Sequence, residues 1–161
     1  MLKIIVIGAR GRMGQTILEC AQRSKAFEVI AAIDQGDDLA AALPKCDVVI
    51  DFSSHSATSG LVKICAAAGK AMVIGTTGHT PEERETIKTA AKKVPIVFAS
   101  NFSTGVNVLF WLTSQAAKAL GKDFDREIVE MHHRHKKDSP SGTARRLAEI
   151  IAQSDRSEEL V

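Results

Sequence analysis

The sequence predicts an α/β fold: a Rossmann-like, doubly wound parallel sheet over residues 1–125, followed by the start of a second, α+β domain over residues 126–161. Three observations predict it. Short apolar runs alternate with helical patterns, which is typical of parallel strands joined by crossover helices. A glycine-rich turn follows the first of these runs. Over Glu130 to Thr143 the composition changes, and basic and titratable residues gather there.

The first predicted element is a buried strand that leads directly into the glycine-rich turn. Leu2 to Ile7 is an apolar, β-branched run, and Gly8 to Gly14 follow it with the spacing Gly-x-x-Gly-x-x-Gly. A helical pattern begins after this turn. A parallel strand that enters a helix through glycines is the first unit of a dinucleotide-binding fold, although a plain strand, turn and helix remains the alternative.

A carboxylate follows the second predicted strand. This strand covers Glu28 to Ile33 and ends at Asp34, about 20 residues after Gly14, where a dinucleotide-binding fold places an acidic residue on the adenosine ribose hydroxyls. Asp34 as an ordinary turn residue stays open as a second interpretation, because Gln35 to Asp38 is a turn sequence.

Three further apolar runs predict the remaining strands of the sheet. They cover Asp47 to Ser53, Ala71 to Ile74 and Pro95 to Phe98. Gly75 to Gly78 and Ala99 to Ser103 follow the last two. Since the carboxyl ends of parallel strands meet at one edge of a sheet, we expect these loops to converge with the glycine-rich turn on one binding crevice.

Helical patterns fill the segments between these strands. One runs from His55 to Ala68, and another is marked by Thr80 as N-cap, Pro81 at the first helical position and Glu83 three residues after the cap. A long apolar helix follows from Gly105 to Leu120. Its central residues are predicted to be core rather than to contact a cofactor; they are Phe110, Trp111 and Leu112.

The stretch from Glu130 to Thr143 gathers nearly all of the titratable chemistry. Arg126 to Met131 alternate like a strand, so the basic run His132 to Lys137 falls at its end. Pro140 to Thr143 then open a helix. The free N–H groups and the positive dipole end of a helix start attract a carboxylate or phosphate, and histidine exchanges protons near neutral pH. The pattern predicts an active site that binds an anion and moves protons.

Three other interpretations compete for the basic run. A metal site is disfavoured, because neighbouring residues on a strand point to opposite faces and no cysteine completes a tetrahedral set. A nucleic-acid surface would need stacking aromatics, and the sequence contains no Tyr. A solvated surface run is the main alternative. The direct succession of a basic strand end, Ser-Pro-Ser-Gly-Thr and a helix favours the active site, since it presents donors to both ends of a dianion.

Composition and charge narrow the class of protein. With 161 residues, of which 45% are hydrophobic and 25% charged, the chain can form one core of a globular protein. A net charge of +2 predicts no nucleic-acid partner. The first apolar run is too short to span a membrane and no signal peptide opens the chain, so no membrane partner is expected. Cys20, Cys46 and Cys65 are predicted to be buried free thiols, and the expected location is cytoplasmic.

Taken together, the motifs resemble dihydrodipicolinate reductase, now called 4-hydroxy-tetrahydrodipicolinate reductase, a family of bacterial and plant lysine biosynthesis through diaminopimelate. The matching motifs follow family order over essentially the whole chain, and the last is highly specific. They are Gly8 to Gly14, Asp51 to Ser53, Gly75 to Gly78, Asn101 to Ser103 with Gly105 to Asn107, and Glu130 to Lys136 with Pro140 to Ala144.

The resemblance implies a role for each residue of these motifs. His132 would be the catalytic acid/base and Lys136 a proton donor, while His133, Gly142 and Thr143 would hold a substrate carboxylate. No metal is implied. The cofactor would be held by residues of four loops: Gly8, Ala9, Arg10, Gly11, Arg12, Met13, Asp34, Gly75, Thr76, Thr77, Ala99, Ser100, Asn101 and Phe102.

The resemblance also implies an NAD(P)H-dependent oxidoreductase that reduces 4-hydroxy-tetrahydrodipicolinate, a small cyclic dicarboxylate, to tetrahydrodipicolinate. NADH is favoured over NADPH, because Asp34 would repel a 2′-phosphate. Full-length family members form homotetramers through a longer substrate-binding and oligomerisation domain, which is expected to be truncated here. No tetramer is therefore expected of the 161-residue chain alone. The alternatives are a non-catalytic dinucleotide-binding module and a dehydrogenase of another acidic substrate.

Overall fold

The computed structural model describes residues 1–134 and 139–157, which pack as two compact units, Met1–Ala99 and Ser100–Val161. This division falls earlier than the predicted boundary after residue 125, because the helix over Thr104–Leu120 packs against the helix over Gly142–Ser157. Packing alone does not test which residues act together in function. The domains 1–125 and 126–161 therefore stay a prediction.

Parallel strands form one sheet in the first unit. Its order is β2-β1-β3-β4-β5, and every neighbouring pair is parallel. This confirms the predicted doubly wound α/β sheet, in the variant whose switch point lies between β1 and β3. The strands are β1 (Leu2–Ile7), β2 (Phe27–Ile33), β3 (Val48–Asp51), β4 (Ala71–Ile74) and β5 (Ile96–Phe98).

Two helices of the first unit begin at a residue whose side chain caps them. The predicted capping box is present: the Thr80 hydroxyl accepts the Glu83 N–H at 3.3 Å, and Glu83 Oε2 accepts the Thr80 N–H at 2.8 Å. A short helix that the sequence analysis missed begins after Asp38, whose carboxylate accepts the Ala40 N–H at 2.9 Å. The helices are α1 (Arg12–Arg23), α2 (Leu39–Ala42), α3 (His55–Ala67) and α4 (Pro81–Ala91).

The core lies on both faces of this sheet, because successive side chains of a strand point to opposite sides. On one face, Ile4 and Val6 of β1 pack with Ala21 of α1. On the other face, Ile5 and Ile7 belong to the larger cluster, together with the buried apolar residues of α3 and α4. Strands covered on both faces explain the nearly continuous apolar runs of the sequence.

The three cysteines are free, but the prediction that all of them are buried is wrong for Cys20. Cys46 and Cys65 lie in the core, and burial raises the pKa of the Cys65 thiol to about 12. Cys20 is exposed on α1, a helix that buries only Gly14 and Ala21. An apolar neighbourhood in the sequence did not show which face of the helix Cys20 occupies.

The described part of the second unit contains α5 (Thr104–Leu120) and α6 (Gly142–Ser157), and these two helices pack against each other. The strand predicted over Arg126 to Met131 is wrong: the structure assigns no strand there, and Val129 and Met131 are 86% and 92% exposed. A strand needs a hydrogen-bonded partner, and the described residues of this unit contain no other strand.

The core assignment of the central residues of α5 is also wrong in part. Trp111 is 61% exposed and Leu112 is 50% exposed, whereas Phe110 is half-buried. The only fully buried residue of α5 among those described is Ala117. Apolar side chains in a helix predict that a surface is covered, but they do not specify which segment covers it.

Candidate active site

The carboxyl ends of β1 and β3 flank the switch point of the sheet, where doubly wound folds bind their ligands. Strand β2 pairs with β1 on one side, and β3 pairs with β1 on the other side. The glycine turn that begins at Gly8 and the pair Phe52 and Ser53 therefore lie next to each other at this edge.

The glycine turn fits the backbone approach that a dinucleotide pyrophosphate requires. Gly8 has φ +76°, and a Cβ atom there would lie 2.8 Å from the carbonyl carbon of Phe52. A Cβ atom at Gly14 would lie 2.7 Å from the Cα atom of Ala9, so neither glycine can be replaced without moving backbone. Gly11 is the N-cap of α1, and no described side chain caps this helix start, so the first N–H groups of the helix are not taken up by a side-chain cap and suit an anion.

The structure brings Asp34 to the glycine turn. Asp34 Oδ2 accepts the backbone N–H of Arg10 at 2.7 Å, and the Arg10 Nε atom lies 3.9 Å from the same oxygen. The Asp34 N–H in turn donates to the carboxylate of Asp37 at 2.8 Å, so the end of β2 is held by the turn that follows it. Arg12 and Met13 are exposed at the start of α1. These predicted cofactor residues share one edge of the first unit.

Asp51 organises the end of β3 and is a residue whose role the sequence analysis missed. It is fully buried, and its Oδ1 atom accepts the N–H of Ser53 at 2.9 Å and the Ser53 hydroxyl at 2.5 Å. Its Oδ2 atom accepts the Thr58 hydroxyl of α3 at 2.8 Å. A charged residue in an otherwise apolar strand was the available signal, because a buried carboxylate needs hydrogen-bond donors around it.

The loop after β4 is attached to the same residue. The carbonyl oxygen of Asp51 accepts the Gly75 N–H at 2.9 Å and the Thr76 hydroxyl at 3.3 Å. The Phe52 ring lies against Gly75, where an added Cβ would come 2.8 Å from one ring carbon. Thr76 is buried and Thr77 is exposed. The predicted cofactor residues of this loop therefore stand beside those of the glycine turn.

His79 follows this loop and is buried without a hydrogen-bond partner. Its side chain is 6% exposed, and neither ring nitrogen has a partner among the described residues. The ring packs edge-on against Phe98, with the ring centroids 5.2 Å apart. Burial lowers the pKa of His79, and this effect outweighs the carboxylates of Glu83 and Asp51, which raise it.

The buried imidazole predicts a loss of stability in mild acid. In the unfolded chain His79 has the ordinary pKa of 6.5, and in the folded protein its pKa is lower. At a pH between these two values only the unfolded chain binds the extra proton. The free energy of unfolding should therefore not change above about pH 6.5. Below that pH it should fall by up to about 1.4 kcal/mol per pH unit because of this group. Urea titrations from about pH 8 to about pH 5 measure this slope. His79→Phe keeps a ring against Phe98 and should give a shallower slope, and equal slopes in the two proteins would contradict the assignment.

Ala99 ends the first unit, where its N–H donates to the Ile74 carbonyl at 3.2 Å. Ser100 and Asn101 open the second unit, followed by the exposed Phe102. Asn101 Oδ1 accepts the Ser103 N–H at 2.8 Å, which fixes the turn. The Asn101 side-chain amide also lies 3.5 Å from the Thr143 hydroxyl.

This contact brings a predicted cofactor residue, Asn101, next to a predicted substrate residue, Thr143. Gly142 adjoins the same turn, since a Cβ atom there would be 3.6 Å from that of Ser100. Gly142 and Thr143 form the first turn of α6, and the Ser141 hydroxyl accepts the Ala144 N–H at 3.0 Å as a cap. The start of α6 is thus held against the turn before α5.

Glu130 links His132 to this helix start. Its Oε1 atom accepts the Ser141 N–H at 2.8 Å, and its Oε2 atom lies 3.5 Å from His132 Nδ1. His132 is 39% exposed at its side chain, and His133 beside it is also exposed. The proposed proton donor Lys136 lies outside the described residues. Glu130 lies two residues before the basic run, and no role was predicted for it.

The described residues also bear on two other classes of site, a metal centre and a membrane span. Over residues 1–134 and 139–157, no group of three or more acidic, His or Cys residues is placed to hold a metal ion. Across the same residues, none of the helices combines the length and the apolar character needed to cross a bilayer.

Two family descriptions match the chain. "Dihydrodipicolinate reductase, N-terminus" matches residues 2–102, and "Dihydrodipicolinate reductase, C-terminus" matches residues 105–160. The first match alone covers more than half of the chain. It includes the glycine turn, Asp34 and the loop after β4, and the second includes His132 and the start of α6.

Relatives with this name are similar along almost the whole chain. A 4-hydroxy-tetrahydrodipicolinate reductase from Akkermansia muciniphila is 56% identical over 152 residues, which are 94% of this chain and 62% of the relative. One from Anaeromyxobacter dehalogenans is 44% identical, covering 96% of this chain and 66% of the relative. The chain thus spans 62–66% of the length of these two curated relatives.

A solved structure agrees with the same assignment. A dipicolinate-bound dihydrodipicolinate reductase from Paenisporosarcina sp. is similar with a TM-score of 0.75 and 30% identity, over 98% of this chain and 68% of that one. Sequence, family match and fold therefore point to one group of proteins. The chain belongs to the dihydrodipicolinate reductase family.

Proposed function

We propose that the full-length protein reduces 4-hydroxy-tetrahydrodipicolinate to tetrahydrodipicolinate with NADH or NADPH, in lysine biosynthesis through diaminopimelate. The observation that carries this proposal is the arrangement of Glu130, His132 and the α6 start, where a proton-exchanging side chain adjoins a helix N-terminus suited to a carboxylate. The solved relative that is similar to this chain binds dipicolinate, a dicarboxylate.

The first unit would hold the cofactor. A reduced nicotinamide cofactor, when bound, supplies the hydride. Gly8 to Met13 would bind its pyrophosphate through backbone N–H groups at the start of α1, and Asp34 would accept hydrogen bonds from the adenosine ribose. Gly75, Thr76 and Thr77 would contact the other half of the cofactor. Ala99, Ser100, Asn101 and Phe102 are proposed to complete the set.

The second unit would bind and protonate the substrate. Gly142 and Thr143 offer N–H groups at the start of α6 to one carboxylate, and His133 would add a second contact. His132 would exchange a proton with the substrate, since histidine changes charge near neutral pH. Lys136 would donate a proton where negative charge develops on the ring nitrogen as hydride arrives.

Two alternatives remain for the whole protein. A non-catalytic dinucleotide-binding module would keep the first unit and need none of the chemistry at His132. A dehydrogenase of another acidic substrate would keep both units and differ in what the α6 start accepts.

Oxidation of NADH by the full-length protein, measured at 340 nm with and without 4-hydroxy-tetrahydrodipicolinate, tests the proposed reaction and both alternatives. Cofactor binding without turnover would favour the module, and turnover only with another dicarboxylate would favour the second dehydrogenase.

We propose that NADH binds at least as tightly as NADPH. Asp34 would face a 2′-phosphate with like charge, and the Arg10 Nε atom, 3.9 Å away, already lies beside that carboxylate. Calorimetric titration of both cofactors at equal ionic strength is the measurement. Asp34→Asn should weaken NADH binding and relatively improve NADPH binding, and Glu85→Gln, which removes an exposed carboxylate of α4, is the charge control. Binding of NADPH that is tighter by about tenfold or more, a difference of about 1.4 kcal/mol, would contradict the proposal.

We also propose that a protein of these 161 residues alone is weakly active and forms no tetramer, although full-length family members are expected to be homotetramers. The second unit exposes Trp111, Val129 and Met131 by 61%, 86% and 92%, and apolar surface of this kind promotes irregular association. Size-exclusion chromatography with light scattering tests the proposal. A stable tetramer with full activity would contradict it.

The cytoplasm is proposed as the compartment, because three free cysteines, two of them in the core, suit a reducing environment. Proposed partners are the small dicarboxylate substrate and further copies of the full-length chain, with neither nucleic acid nor membrane.

A further inference from the structure

We propose that Glu130 is a positioning residue, which orients the His132 imidazole and fixes it relative to the helix start that binds the substrate carboxylate. The inference rests on the proposed function, because it assigns a task to a neighbour of the proposed acid/base. Neither of the two sequence motifs, the glycine turn and the basic run, predicts a role for Glu130.

The geometry makes Glu130 a bridge between two parts of the second unit. One carboxylate oxygen accepts the Ser141 N–H at 2.8 Å, within the range of a well-formed hydrogen bond. The other oxygen lies 3.5 Å from His132 Nδ1. Side-chain exposures of 27% for Glu130 and 39% for His132 leave the pair partly screened from water. A single carboxylate therefore contacts both the proposed proton carrier and the proposed anion site.

This bridge matters for chemistry because the two ring nitrogens of histidine have different tasks. A carboxylate beside Nδ1 favours the tautomer that carries its proton there, which leaves Nε2 to exchange a proton with the substrate. The same logic applies to carboxylate, histidine and nucleophile arrangements in hydrolases, where the acidic residue orients the ring and is not itself protonated.

A purely structural role for Glu130 is the competing explanation. Its Oε1 atom alone would hold the α6 start through Ser141 and contribute to stability without affecting turnover. Glu130→Gln separates the two roles, since a glutamine keeps an oxygen that can accept the Ser141 N–H but loses the negative charge beside His132. Glu130→Ala removes both.

The test is steady-state kinetics on the full-length protein. Glu130→Gln should lower kcat by about tenfold to hundredfold with the substrate KM unchanged within about twofold, since misplacing a catalytic group acts on the chemical step. Glu130→Ala should also raise KM. Glu149→Gln is the matched control, because it removes an exposed charge of α6 that pairs with the Arg146 side chain one turn away, and its kcat should match the parent.

A second measurement shows whether Glu130 acts through His132. On the His132→Ala background, Glu130→Gln should cause no further loss of kcat, because the group it orients is gone. Equal losses on both backgrounds, or Glu130→Gln with kcat within about twofold of the parent, would overturn the inference. If His132→Ala itself keeps full turnover, the proposed acid/base role falls as well, so the two failures are distinguishable.

Discussion

Replacing His132 or Lys136 by alanine in the full-length protein should lower kcat by about 10²–10⁴-fold, which is about 3–5 kcal/mol of barrier, while NADH affinity stays unchanged. The residues proposed to bind the cofactor pyrophosphate and ribose, Gly8 to Met13 and Asp34, belong to the first unit, whereas His132 belongs to the second. The loss should therefore appear in the chemical step.

His133→Ala provides the contrast for this experiment. A carboxylate contact that is equally strong in the ground state and the transition state affects substrate binding only, so KM should rise and kcat should change little. Steady-state kinetics give both constants, and protein fluorescence follows NADH binding separately. If His132→Ala and Lys136→Ala both keep kcat within about threefold of the parent, the basic run is a solvated surface and the active-site assignment is wrong.

Asp51→Ala should destabilise the first unit by about 2–4 kcal/mol, although Asp51 is not proposed to touch the cofactor or substrate. Its side chain accepts hydrogen bonds from the Ser53 N–H, the Ser53 hydroxyl and the Thr58 hydroxyl in a fully buried position. Alanine removes the charged acceptor of all three hydrogen bonds. The loss is partly offset because the exposed Ser53 can bond water, the Thr58 hydroxyl can donate to the Ser54 carbonyl at 3.1 Å, and no charge remains buried.

Urea unfolding of the parent and the variant measures this difference. Thr58→Val removes one of the donors and should cost only about 1 kcal/mol. Glu85→Ala removes an exposed carboxylate that pairs with Lys88 and should stay within about 0.5 kcal/mol. A free energy of unfolding for Asp51→Ala within about 1 kcal/mol of the parent would show that the carboxylate is not needed at the end of β3.

Most of the first unit could be predicted from the sequence because its signals are local. Apolar runs gave the strands with small errors at their ends, and β1 covers Leu2–Ile7 as predicted. The capping box at Thr80 identified the start of α4 from four residues. Glycine spacing and Asp34 identified one edge of the sheet, because the carboxyl ends of parallel strands necessarily meet there.

The errors concern partners that are distant in sequence. Alternation over Arg126 to Met131 is a local pattern, but a strand exists only when a second strand pairs with it. Trp111 and Leu112 are apolar whether or not another segment covers them. The bridge at Glu130 was also missed, since its acceptor geometry depends on Ser141, and no spacing rule joins residues so far apart.

Phe52 lies against two loops of the first unit, the glycine turn and the loop after β4. Its carbonyl group adjoins Gly8, and its ring adjoins Gly75, whose N–H is bonded to Asp51. Loops held in this way lose their conformational freedom when the chain folds and not when the ligand arrives. The entropy cost, about 1–2 kcal/mol per residue, therefore does not weaken ligand binding. The first unit should therefore act as a preformed receptor, in which diffusion and orientation, rather than loop closure, limit the rate of cofactor association.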